Sequence, residues 1–294
     1  MTKEEILEKL VKDLELRGRS IGTTKRYAAS VRKFQDHYGR PADQMGEAEI
    51  SGFLHHLATV RKLKPGSVND YNSALRFVYG VTLEVNLNLK RLPRMRQTRR
   101  LPQIFTREEV HTIIDSADSL AHRAMFMLAY GSGLRRSEIT NLRATDIESA
   151  QMRILVRNGK GGRDRYAILP QVTLETLREY WLAYRPKDWL FVAPVKGGAY
   201  AGRSLHDAFK MALKKSGVTK PGTIHTFRHC FATHLYEDGC GLLELKELLG
   251  HVRICTTSWY TQLAGSRLSR VISPIDAFPR EEGGKPNDGG GANA

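Results

Sequence analysis

Cysteine is scarce: Cys230, Cys240 and Cys255 are the only three in 294 residues, with no C-x-x-C pair and no even set. That excludes a disulfide framework, leaves no zinc pattern, and reads as reduced thiols in a cytoplasmic protein. Long apolar runs are lacking as well, and nothing approaches the ~20 residues that span a bilayer, so the chain is not expected to cross a membrane. The opening MTKEEILEKLVKDLELRGR is charged throughout and does not read as a secretory signal. There is no P-loop, no Rossmann glycine fingerprint and no H-E-x-x-H, so no cofactor is expected. His225 and His229 are four apart, but no acidic or cysteine ligand completes a metal site around them. Acidic residues are short too: 31 Asp+Glu face 46 Lys+Arg, a formal charge of +15. Such a balance favours a polyanionic partner, nucleic acid or an anionic membrane surface, although a merely basic soluble protein would share it.

What is present is helical periodicity. Thr2 and Glu5 fit a capping box, followed by Ile6, Leu7, Leu10, Val11 and Leu14 on one face. Tyr27, Val31, Phe34 and Tyr38 mark a second helix, and Ile50, Phe53, Leu54 and Leu57 a third. Val68, Tyr71, Leu75 and Val78 mark a fourth after the Pro65-Gly66 turn signal. Residues 1–85 therefore read as a helical domain with its own core. Residues 86–104 break the period with two prolines and six cations, Lys90, Arg91, Arg94, Arg96, Arg99 and Arg100, and no acid. Like charges in a row repel unless something anionic lies alongside, so this stretch reads as a basic linker that tracks a phosphate backbone.

A second domain, 105–276, opens with a capping box from Thr106 to Glu109 and is mostly helical, with helices expected near 120–130, 172–184, 204–216, 226–237 and 242–249. Its one clear β signal is MRILVRNGKGGRDRYAILP (152–170), two short apolar strands around a glycine-rich turn. The Gly-rich tail, 277–294, reads as disordered. The fold class is thus mainly α with a small β-hairpin: a helical N-terminal domain plus a mixed α/β second domain.

Tyr260 sits in LGHVRICTTSWYTQL (249–263), where a tyrosine read alone is a packing residue. To act as a nucleophile its phenol, with an ordinary pKa of about 10, needs fixed cations around the group it attacks. Arginine suits a phosphodiester best, because it stays charged and its planar fork matches phosphate oxygens. A lysine or histidine must also protonate the leaving sugar oxygen. Arg135 follows a Gly-x-Gly helix break, Lys160 sits at the hairpin tip, and His225 and Arg228 are three apart in HTFRH. His251 follows Leu249-Gly250 at an expected helix end.

The order and wording of these segments resemble the tyrosine recombinase (phage-type integrase) family of site-specific DNA recombinases. SGLRRSEITNL resembles its first arginine box, RNGKGGRDR its hairpin lysine, HTFRHCFATHL its H-x-x-R box, and LGHVRICTTSWY its LGH followed by the nucleophilic tyrosine. The resemblance covers roughly 105–265 and is strong because five motifs fall in order. It implies that Tyr260 attacks the scissile phosphate to give a 3′-phosphotyrosyl link, with Arg135 and Arg228 clamping the phosphate. It further implies that His251 hydrogen-bonds a non-bridging oxygen, Lys160 protonates the 5′ oxygen, and His225 assists proton transfer or contacts the phosphate. Glu138 falls on the family's acid near the first arginine and is expected to support an arginine rather than do chemistry. ATP is not required, since the phosphotyrosine diester stores the energy of the broken linkage, and preplaced cations take the place of a metal. The resemblance also implies that 1–85 is a DNA-clamping domain and 105–276 the catalytic domain, and that the partner is double-stranded DNA, bound by a homotetramer on two paired sites, with no membrane.

Other residues take plainer readings. His229 and His234 read as structural or DNA-facing, Arg136 as a DNA contact or surface residue, and Trp259 as packing. Tyr166, Tyr180 and Tyr184 read as core or rim. Cys230 stands where the family usually has a small hydroxyl residue. Two other functions share the scaffold: a non-catalytic DNA-binding regulator, and a type IB topoisomerase-like relaxing enzyme.

Overall fold

A computed structural model describes residues 1–88, 92–96, 103–157, 164–193, 197–250, 257 and 260. The chain divides into two compact units, Met1–Arg100 and Leu101–Ala294.

The first unit holds α1 (Lys3–Leu16), α2 (Ile21–Tyr38), α3 (Glu47–Thr59) and α4 (Pro65–Phe77), the last running into a π-helical turn, Val78–Thr82. The Thr2–Glu5 capping box is present at the start of α1. The apolar stripes read from the sequence face one core, in which Ile6, Leu10, Val31, Phe34, Ile50 and Leu75 are fully buried. Gln35, buried among them, satisfies both ends of its amide: it donates to Lys3 O (3.3 Å) and accepts from Ala42 N (3.1 Å). A buried amide left unpaired would cost stability, so these bonds tie α2 to its neighbours as well as filling space.

The basic stretch is not bare chain along its whole length. Leu92 is buried in the first unit's core. Asn72 donates to the carbonyls of Leu92 (3.4 Å) and Pro93 (3.2 Å), and Asn69 exchanges two bonds of 2.9 Å with Met95. Residues 92–95 therefore lie along α4, with Arg94 and Arg96 exposed. Lys90, Arg91, Arg99 and Arg100 lie outside the described residues.

The second unit contains α5 (Arg107–Asp115), α6 (Leu120–Gly131), α7 (Arg136–Thr140), β1 (Ile147–Glu148), β2 (Arg153–Val156) and β3 (Arg165–Ile168). It continues with α8 (Gln171–Tyr184), α9 (Gly202–Lys215), α10 (Ile224–Glu237) and α11 (Leu242–Leu249). The β region holds one strand more than expected. β1 pairs antiparallel with β2, and β2 with β3, in the order β1-β2-β3. At two residues β1 is too short to show alternation, which is why periodicity overlooks it. α6 and α10 pack together over a core of edge-to-face aromatics, with Phe209 and Phe227 5.0 Å apart and Phe126 and Phe209 5.5 Å apart. Tyr180 joins this core, whereas Tyr166 and Tyr184 stay exposed at its rim. The hairpin tip with Lys160, the residues Trp259 and Cys255, and the tail lie outside the described residues. Among the described residues, no helix is long and apolar enough to cross a membrane.

Candidate active site

The site assembles where three chain breaks meet. The first is the end of α6. Gly133 has φ +61, and a Cβ there would come within 2.4 Å of the Phe231 ring, so glycine is needed both for the turn and for α10 to approach. This turn leaves Arg135 as the residue capping α7, and Glu138, three residues on, returns to accept from Arg135 N at 2.8 Å. The second is the start of α10, which presents His225, Arg228 and His229 within two turns. The third is Gly250, which ends α11 with φ +59 and so exposes the last helix carbonyls.

Those carbonyls hold the arginines. Leu249 O accepts from Arg228 Nη2 (2.6 Å) and from Arg135 Nη2 (3.3 Å), and Gly133 O accepts from Arg228 Nη1. Two guanidinium groups thus converge on one helix C-terminus. The negative end of the helix dipole favours cations there, which offsets part of their repulsion. Arg228 is 1 % exposed. Burial, with Arg135 nearby, draws its pKa down to about 9, which leaves it cationic at neutral pH.

Glu138 is the counter-charge. Its Oε1 accepts from Arg135 Nη1 at 2.6 Å, and its Oε2 lies 3.8 Å from Arg228 Nη1. Both of its oxygens also accept from Arg165 of β3, at 3.1 and 2.9 Å. Burial pushes the Glu138 carboxyl up, but the bonds and charge of Arg165, with those of Arg135, hold it below the usual carboxylate range. Three arginines against one carboxylate leave this cluster with an excess of positive charge. That excess is a site for an anion presenting oxygens to fixed forks.

Tyr260 belongs to a small apolar cluster with Phe231, Ala232, Leu245 and Leu249, and is 3 % exposed. The packing reading is therefore correct for its ring, while its hydroxyl meets His229 Nδ1 at 3.3 Å. Burial raises the phenol pKa, and Arg228 and Arg135 act against that rise, which puts the hydroxyl within electrostatic reach of both arginines. His225 and His229 have ring centroids 4.7 Å apart. His234 faces elsewhere, bonded to Tyr130 Oη at 3.0 Å. Cys230 is fully buried, and burial pushes its thiol up to about 12.

Of the residues singled out from the sequence, Arg135, Glu138, His225, Arg228 and Tyr260 come together here, while Lys160 and His251 lie outside the described residues. Two participants escaped the sequence reading: Arg165, and His229 as a neighbour of the tyrosine. Alternation along β3 was the available signal for Arg165, since it places that arginine on the same inward face as buried Ala167, where a charge needs a partner. Among the described residues, no group of three or more His, Cys, Asp or Glu could hold a metal ion.

Residues 103–267 match the phage integrase family, and residues 6–89 match the N-terminal SAM-like domain of phage integrases. A Sinorhizobium fredii protein provisionally named an integrase/recombinase is 35% identical over 274 residues, covering 93% of this chain and 89% of the relative. The tyrosine recombinase XerA of Pyrococcus furiosus is 30% identical over 291 residues, covering 96% of this chain and 98% of the relative. Among solved structures, a lambda integrase tetramer bound to a Holliday junction shares the fold with a TM-score of 0.70 at 20% identity, covering 88% of this chain and 77% of that one. With full-length relatives and both units matched, the chain belongs to the phage integrase family and is a tyrosine-type site-specific recombinase.

Proposed function

We propose that the protein cuts and rejoins double-stranded DNA at specific sites through a 3′-phosphotyrosyl intermediate formed on Tyr260. The observation that carries this reading is the meeting of Arg135 and Arg228 at Leu249 O, with the Tyr260 hydroxyl in electrostatic reach of both. Two preplaced guanidiniums stabilise the charge that builds on the non-bridging oxygens during attack, and they need no reorganisation at that moment. Arg135 and Arg228 are the phosphate clamp, and Glu138, with Arg165, fixes the Arg135 fork. His225 contacts the phosphate from the start of α10. Lys160 protonates the departing 5′ oxygen and His251 bonds a non-bridging oxygen, on the strength of their motifs. The solved relative in tetrameric form on a Holliday junction supports a homotetramer on two paired sites. Three cysteines with no C-x-x-C pair and no even set suit work on DNA in the cytoplasm.

A DNA substrate nicked next to the cleavage position traps the covalent step. The wild-type chain gives a protein–DNA adduct stable to denaturant, and Tyr260→Phe gives none; equal adduct from both would sink the reading. A binding-only regulator has no use for a phenol among arginines, so adduct formation also separates it from the enzyme. A relaxing enzyme would form the adduct without paired sites.

A further inference from the structure

The cleavage step needs a destination for the Tyr260 proton: the lysine and the arginines supply none, and of the two neighbouring histidines on α10 it is His229, not His225, that meets the phenol. Lys160 gives a proton to the leaving oxygen, and the arginines cannot accept one. The phenol is buried in apolar surroundings and its pKa is raised, so it does not shed its proton to water unaided. Its hydroxyl lies 3.3 Å from His229 Nδ1. Apo contacts between catalytic groups are often this long and tighten with substrate.

We propose that His229 is a catalytic base: it takes the Tyr260 proton during strand cleavage and returns it on rejoining. This rests on the reading of Tyr260 as the nucleophile. The Tyr260 O–H bond breaks as the Oη–P bond forms, and the proton passes to Nδ1. The P–O5′ bond breaks and Lys160 protonates the 5′ oxygen. Rejoining runs the same transfers backwards. The tautomer required carries its hydrogen on Nε2, with the Tyr260 O–H donating to Nδ1.

The surroundings suit the task. His229 sits one turn beyond His225 on α10, so its ring is held by the helix and by the apolar cluster around Tyr260. Among the described residues, the titratable and charged groups that face it are His225, Arg228 and Tyr260. Burial first, then His225 and Arg228, lowers its pKa to about 4, so at neutral pH it is an uncharged acceptor. A base that weak would be a poor partner for an isolated phenol. Two changes on substrate binding close the gap: the phosphodiester's charge offsets Arg228 and His225, and the phenol becomes far more acidic as its oxygen bonds to phosphorus.

Packing alone would also give a buried tyrosine hydroxyl some acceptor, so the test must separate holding from proton transfer. His229→Asn keeps an acceptor near the Nδ1 position but cannot take a proton, and His229→Ala removes both. Single-turnover adduct formation on the nicked substrate is compared with DNA affinity by gel retardation. Both variants are expected to form adduct about 100-fold more slowly, or worse, at unchanged affinity. Added imidazole should restore part of the rate of His229→Ala. The wild-type rate should fall toward acid pH, and His229→Asn should lack that limb. Adduct from His229→Asn at the wild-type rate, with none from Tyr260→Phe, overturns this proposal and leaves the nucleophile standing. Should His229→Ala fold poorly, the comparison of His229→Asn with the wild type decides alone. No adduct from the wild type overturns the nucleophile and the base together.

Discussion

Glu138 is the residue on which most charge converges. Arg135 and Arg165 bond it directly and Arg228 lies 3.8 Å away. Replacing it by glutamine keeps the volume but leaves three guanidiniums facing one another without a counter-charge. Glu138→Gln is therefore expected to cost roughly 3–5 kcal/mol of stability, the usual range for breaking a buried ion pair, as read from the denaturant midpoint. A loss under about 1 kcal/mol would mean that solvent screens the cluster. The same residues show what a sequence can reveal at this scale. Arg135, Arg228 and Tyr260 were legible because each stands in a worded motif in a fixed order. Arg165 was not, because its partner lies 27 positions away and only the folded hairpin brings them together. His229 was visible but ambiguous: a histidine at a helical spacing declares its face, not its partner.

At the scale of elements, α10 carries the site and also three histidines that the fold keeps uncharged. Burial, then Arg228, Arg135 and Arg136, lowers the His225 pKa; burial, then Arg107, lowers that of His234; and that of His229 falls to about 4. With folded pKa values below the ordinary 6.5, the unfolded chain binds more protons as pH falls through that value. Stability is thus greatest above pH 6.5 and is lost progressively below it. For His229 alone the loss approaches on the order of 3 kcal/mol by pH 4. The thermal midpoint of the free protein should drop markedly between pH 7 and 5, and His229→Asn should flatten the drop; a midpoint insensitive to pH in that range would contradict the buried, neutral imidazoles. Elements of this length were readable from sequence, since α10 and its neighbours show several turns of apolar period. Five-residue α7 and two-residue β1 carry too little pattern to announce themselves, and only packing reveals them.

For the whole molecule the governing quantity is the charge of +15. The cluster around Glu138 holds three arginines, so most of the excess must act elsewhere, and the basic stretch is the densest source of it. Leu92 anchors one part of that stretch in the first unit's core while Arg94 and Arg96 stay exposed, so these cations are held in place before DNA arrives. Preplacement lowers the ordering cost on binding, and each phosphate neutralised releases counterions. Replacing Arg94, Arg96, Arg99 and Arg100 together by glutamine should therefore weaken DNA binding most at low salt. It should also flatten the plot of log affinity against log salt by up to about 3.6, at close to 0.9 for each phosphate no longer neutralised. Melting should stay near the wild-type value, because the described members of the set, Arg94 and Arg96, have exposed side chains. A flatter slope with unchanged melting identifies the stretch as a backbone-tracking segment. An unchanged slope would mean that these arginines meet solvent, and that the DNA-facing charge lies on the helices instead.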